Sequence, residues 1–204
     1  MAPPTPKSAH SKATTTVSRH SKTCTAYVAL LRGINVGGKN TLPMKDLAAL
    51  FTDAGCGNVS TYIQSGNVVF TADAKCAKGL AQEISKQIEK GFGIRVPVIL
   101  RSAEELHHAA ANNPFLKRGT DVSTLHVYFL ADVPAAGSAT ALDPDRSPGD
   151  SFKVRGGEIY LHLPNGMART KLSNAYFDSK LVTISTDRNW RTVLKLVELA
   201  RMIQ

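Results

Sequence analysis

The sequence predicts an α+β fold: two ferredoxin-like (βαββαβ) halves, a linking helix between them and a further helix at the C-terminus. Three observations lead there. Apolar positions switch repeatedly between the short runs of strands and the three- and four-residue spacing of helices. The elements obtained in this way read strand, helix, hairpin, helix, strand, and the order then recurs. Each round contains a glycine-bearing turn between two β-rich runs, Ser65-Gly66 in the first and Gly156-Gly157 in the second.

Ala26 to Leu31 is an uninterrupted apolar run and reads as the first strand. Met44, Leu47, Leu50, Phe51 and Ala54 fall at helical spacing and stop at Gly55. Val59 to Gln64 and Asn67 to Thr71 form a hairpin across Ser65-Gly66, with Gln64 opposite Asn67 and Ile63 opposite Val68. Leu80, Ile84, Ile88 and Phe92 mark a second helix ended by Gly93, and Val96 to Leu100 closes the round as a strand. Ser102-Ala-Glu-Glu105 has the form of a capping box and opens the linking helix, whose end is set by Asn113-Pro114.

The second round has a strand at Leu125 to Leu130, a short helix within Ala135 to Leu142, a loop over Asp143 to Gly149, and a hairpin of Phe152 to Arg155 with Glu158 to Leu163. A helix around Leu172 to Lys180 and a short strand at Leu181 to Ser185 complete it. The last helix has Trp190, Val193, Leu194 and Val197 on one face, with Thr186 or Asp187 as its cap. The chain thus divides into a basic tail (1–24), a first half (25–101), a link (102–123) and a second half (124–204).

Facing patterns add an expectation about packing. In the first half both sheet faces are apolar, with Val28 and Leu30 on one and Ala29 and Leu31 on the other. Helices cover one face of such a sheet, so the second half or another chain must cover the other. In the second half, pairing across Gly156-Gly157 puts Phe152, Val154, Ile159 and Leu161 under the helices. Lys153, Arg155, Tyr160 and His162 remain on the open face, joined by His126 and Tyr128. Tyr128 and Tyr160 beside Lys153 and Arg155 resemble the base-stacking platform of an RNA-recognition motif, without its consensus.

The chain is 204 residues long with a formal net charge of +9. Lys7, Lys12, Arg19 and Lys22 lie in a tail without acidic residues, and removing those four charges leaves +5. Residues Met1 to Thr23 carry almost no large apolar side chain, which predicts disorder. They contain no apolar segment of the secretory type, and no later run is long enough to span a membrane. Three cysteines, Cys24, Cys56 and Cys76, never at C-x-x-C spacing, argue against a disulfide framework or a zinc cluster and for a reducing cytoplasm.

The candidate ligand site is the glycine-rich loop that interrupts the first strand. Gly33, Gly37 and Gly38 tolerate positive φ and leave backbone N–H groups uncovered. Arg32 and Lys39 supply charge, and Asn35 and Asn40 supply amides. The spacing is neither that of a P-loop nor of the dinucleotide fingerprint. Ser65 and Asn67 are expected near it, and Arg188 and Asn189 at the start of the last helix form a second anion-favouring place. Ser65 lacks the G-x-S-x-G elbow, and His107 and His108 are adjacent and therefore diverge on a helix. No spacing suits a metal, and no pair of carboxylates is marked for acid–base work.

Four runs carry a family resemblance: Tyr27 to Asn40, Thr61 to Phe70, Asn113-Pro-Phe115, and Asp187-Arg-Asn-Trp-Arg-Thr-Val193. From about Ala26 to its end the chain resembles the bacterial domain-of-unknown-function family numbered 1697. The resemblance implies a mixed α+β fold with a duplicated ferredoxin-like arrangement, and brings no reaction or catalytic residues. The function expected is binding of an anionic ligand (nucleotide, RNA or phosphorylated metabolite) at the glycine-rich loop, without a cofactor. A non-catalytic assembly module, for instance a homodimer, and an enzyme on a small acidic or phosphorylated substrate are the alternatives.

Overall fold

The structure, a computed structural model, describes residues 24–204. The disordered tail expected over residues 1–23 lies outside the described residues. The described residues form two four-stranded sheets, antiparallel throughout, with six α-helices. The first sheet is built from β1 (Thr25–Leu31), β2 (Gly57–Tyr62), β3 (Asn67–Ala72) and β4 (Val98–Ser102), in the order β2-β3-β1-β4. The second uses β5 (Leu125–Leu130), β6 (Ser151–Arg155), β7 (Glu158–His162) and β8 (Ser185–Asn189), in the order β6-β7-β5-β8. Each sheet therefore places its strands in the same sequence.

The first sheet's outer face is covered by α1 (Met44–Asp53), the short α2 (Ala74–Ala77) and α3 (Leu80–Phe92). Leu47, Phe51, Leu80, Ile84 and Ile88 come down on Ala29, Leu31, Val68 and Phe70. Full burial of side chains of this size is worth about 1.5–3 kcal/mol each. On the second sheet a single helix, α5 (Asn174–Leu181), covers Tyr128, Leu130, Ile159 and Leu161. The short helix expected within Ala135–Leu142 is a 3₁₀ turn, Ser138–Ala141, followed by Leu142, which enters the same cluster.

The inner faces do not meet directly over most of their area. Two helices lie between them: α4 (Ala103–Ala111), which follows β4, and α6 (Trp190–Met202), which follows β8. Leu106, Ala109, Trp190, Val193 and Leu196 join Val28, Leu30 and Val69 of one sheet to Val127, Phe129 and Tyr160 of the other. Ser102 caps α4 with the reciprocal bonds expected of its capping box, Glu105 N to Ser102 Oγ at 3.1 Å and Ser102 N to Glu105 Oε2 at 2.7 Å.

Several boundaries differ from the sequence expectation. The β2–β3 turn is four residues long, because Tyr62, not Gln64, pairs with Asn67. A slip of two residues keeps the side chains that remain in β2 on their expected faces. Ile63 leaves the strand with φ 49° and half its surface in solvent. Asn67 holds the longer turn by donating to Tyr62 O and Ser65 Oγ, both at 3.0 Å.

The last strand lies four residues beyond Leu181–Ser185. Helix α5 runs through Leu181, and β8 takes Thr186, Asp187 and Arg188, which the sequence assigned to the entry of the last helix. Asn189, not Thr186 or Asp187, caps α6, accepting from Thr192 N at 2.8 Å. Leu194 is turned out, 46% exposed; Thr192, Val193, Leu196 and Val197 form the buried stripe.

Candidate functional site

Arg188 stands at the fourth residue of β8 and is 6% exposed. Its guanidinium crosses into the first sheet. Nε donates to Asn67 Oδ1 at 2.6 Å, and Nη2 donates to Leu31 O at 2.7 Å and Gly66 O at 3.1 Å. Nη1 donates to Thr186 Oγ1 at 2.9 Å and to the carbonyl of Asp187 at 2.6 Å. All these acceptors are neutral. Burial pushes the Arg188 pKa down to about 10, partly countered by Asp187, so the group is charged at neutral pH. Asp187 itself turns to His126 Nδ1, 3.0 Å away.

Arg101, the fourth residue of β4, makes the reciprocal connection. Its Nη2 donates to Leu130 O at 2.8 Å and Gly157 O at 3.0 Å, and Nε meets Glu158 Oε1 at 3.1 Å. Leu31 and Leu130 end β1 and β5; Gly66 and Gly157 directly precede β3 and β7; Asn67 and Glu158 open those strands. Each sheet's edge strand thus sends an arginine to the same point of the other sheet. One difference matters: Arg101 has a carboxylate partner and Arg188 has an amide.

Three predicted site residues, Ser65, Asn67 and Arg188, are therefore brought together, but as structural contacts of the fold. Arg188 has no donor left over for an exposed anion. Arg32 is ion-paired with Asp178 of α5, whose other oxygen accepts from Ser185 N and Oγ. Ser65 lies in the β2–β3 turn, and Asn189 is occupied as the α6 cap.

The glycine-rich loop itself is a small, ordered hairpin. Lys39 N donates to Val36 O at 3.0 Å across Gly37 and Gly38, whose φ values of 57° and 72° suit a type I′ turn. Asn35 fastens its base, accepting from Leu42 N at 2.8 Å and donating to Leu42 O and Gln64 O. Asn40 Nδ2 bonds Gly33 O at 2.9 Å. Gly37, Gly38, Lys39 and Asn40 project into solvent.

The stacking platform is overturned. Tyr128 and Tyr160 are each 1% exposed and lie on opposite faces of the second sheet, because Tyr160 pairs with Val127 and Tyr128 with Ile159. Tyr128 packs under α5 and donates to Leu172 O at 3.0 Å; Tyr160 packs against α4 and donates to Ala109 O at 2.9 Å. Burial pushes both hydroxyls up, that of Tyr160 to about 12. Leu125–Leu130 is apolar on both faces apart from His126, so the sequence carried no signal of which parity faces inward. Lys153 stays exposed on β6, opposite Tyr160 in the ladder.

A cleft of about 640 Å³ opens beside the Arg101 connection, between α4 and the β6–β7 turn. Glu104 and His108 of α4 line one wall, and Arg155 and Glu158 of the hairpin the other. Leu130, Val133 and Tyr160 add apolar surface. Arg155 Nη1 donates to Asn112 O at 3.1 Å, tying the hairpin to the end of α4. Sequence reasoning singled out Arg155 but missed Arg101, Glu104 and Glu158. The one available signal was a charge at the end of the apolar run Val98-Ile-Leu-Arg101. Among the described residues no cluster of His, Cys, Asp or Glu is arranged for a metal, and no helix is long and apolar enough to cross a membrane.

A family model described as a protein of unknown function (DUF1697) matches residues 24–160. The fold is similar to that of the conserved bacterial protein SP0830 from Streptococcus pneumoniae, with a TM-score of 0.67 over 87% of this chain and 99% of that one. The two are 23% identical, a level at which the likeness shows the fold alone. No curated protein matches the chain.

Proposed function

We propose that this chain, which belongs to the DUF1697 family, binds a small molecule in the cleft between α4 and the β6–β7 turn. The observation that carries the reading is the cleft's size and lining. A volume of about 640 Å³ lies within the usual range for ligand sites, with apolar walls and a few charged groups of both signs. Its floor is rigid, since Arg101 and the Tyr160 hydroxyl fasten it to the strands and to α4. Glu104 and His108 are exposed on α4 and complete the polar lining. We read the frame as a duplicated ferredoxin-like unit, residues 25–101 and 124–204 joined through 102–123. The common strand order and the paired arginines support that division.

The test uses Val133→Trp. Val133 is 72% exposed at the rim, so the larger side chain enters the cleft with little effect on the core. A thermal-shift screen of polar metabolites should find a ligand that stabilises the wild-type chain and leaves Val133→Trp unaffected. Equal stabilisation of both proteins would remove the cleft from consideration.

A second reading keeps the anion expected at the glycine-rich loop. Its support is Lys39, exposed beside a turn already in its final shape. Under this reading phosphate shifts the backbone amide resonances of residues 33–40 in a titration, and Lys39→Glu abolishes the response. A flat titration would dismiss it.

A further inference from the structure

Cys56 and Cys76 are 20 positions apart in sequence and meet in the fold. The ladder pairs Gly57 with Thr71, which sets the start of β2 beside the exit of β3. Asp73 then caps α2, accepting from Cys76 N at 2.7 Å, and this turn brings the Cys76 side chain back toward β2. Its Sγ donates to Ala54 O at 3.4 Å, two residues before Cys56. The two side chains are close enough to interact, and both pack in the apolar cluster under α1 and α3.

The two sulfurs differ in surroundings. Cys56 is 7% exposed, and burial together with Cys76 raises its thiol to about 12. Cys76 is only partly buried and borders a cleft of about 630 Å³ open to solvent, lined by Lys75 and Lys78 together with Asp53, Asp73 and Glu83. A solvent-accessible thiol with a second, buried thiol beside it to resolve the oxidised form is an arrangement suited to reversible oxidation.

We propose that Cys56 and Cys76 are a modification site for peroxide-class oxidants, forming a reversible disulfide that ties α2 to the start of β2. Cys76 reacts first. Its thiolate attacks the O–O bond of hydrogen peroxide, an S–O bond forms, and hydroxide leaves and is protonated to water. The Cys56 sulfur then displaces the sulfenic oxygen, which departs as a second water carrying the Cys56 proton. Two thiols lose two hydrogens and two electrons, and one peroxide becomes two waters. A thiol reductant returns both groups to their resting state. The disulfide closes a loop of about 20 residues and so restricts the unfolded chain.

The test uses the full chain with Cys24→Ser, which removes the exposed third thiol. After hydrogen peroxide at a small molar excess, intact mass should fall by two hydrogen masses, and a non-reducing digest should join the Cys56 and Cys76 peptides. Dithiothreitol should restore the original mass and two alkylatable thiols, and the oxidised form should melt at a higher temperature. With Cys56→Ser added, dimedone should instead trap a sulfenic acid on Cys76. The proposal is overturned if both thiols stay alkylatable, if Cys76 gains oxygen while Cys56 stays reduced, or if the cross-link joins two chains.

Discussion

Arg188→Ala tests whether that arginine is an interior connector. The substitution strips donors from Asn67 Oδ1 and Leu31 O, while Gly66 O keeps the Leu31 N–H at 2.8 Å. Leu31 O retains one long contact from Thr186 Oγ1 at 3.3 Å. Leaving a buried acceptor unpaired costs about 1–3 kcal/mol, and the void left by the side chain adds to this. Against it stands the relief of a guanidinium held away from water among neutral acceptors. The balance is a loss of about 2–4 kcal/mol, which for a chain of this length lowers Tm by roughly 5–15 °C. Thermal and urea unfolding followed by circular dichroism read this directly. A double-mutant cycle with Asn67→Ala should return a coupling of about 0.5–3 kcal/mol, since the pair is in contact. If Arg188→Ala melts within a degree or two of wild type, the connector role is refuted.

The reciprocal change, Arg101→Ala, should cost more than Arg188→Ala, about 3–5 kcal/mol, because it leaves Glu158, with a side chain only 14% exposed, without its counter-charge; the same unfolding assays rank the two. Alkaline stability should fall between pH 10 and 12: an unfolded tyrosine releases its proton near pH 10, whereas folded Tyr160 holds it to about 12. Its contribution is complete below pH 10 and declines by about 1.4 kcal/mol per pH unit above it. Melts across that range should show a shallower decline in Tyr160→Phe, and a titration of phenolate absorbance should find two of the five tyrosines ionising late. Gly66→Ala should destabilise far more than Gly37→Ala. Both residues have positive φ, but a Cβ at Gly66 would stand 2.7 Å from Leu31 Cβ, whereas Gly37 has nothing within 4 Å; comparable melting temperatures would contradict this.

The sequence by itself determined most helices and the central strands, because their signals are local. Apolar spacing placed α1 and α3, and Ser102 with Glu105 declared the start of α4, which the fold uses unchanged. Gly156-Gly157 fixed the second hairpin's register, with Arg155 opposite Glu158 and Lys153 opposite Tyr160. What lay beyond its reach was decided by contacts distant in the chain. Ser185–Asn189 has no β-like composition and becomes a strand because β5 offers it a ladder. The parity of β5 was undetermined because both its faces are apolar, and only pairing with β7 turned Tyr128 outward to α5 and Tyr160 inward to α4. Arg188 looked like a free cation because sequence shows charge but not which carbonyls will surround it. Its partners on β1 and at the β2–β3 turn are more than a hundred residues away, and their meeting exists only once two sheets have closed over α4 and α6.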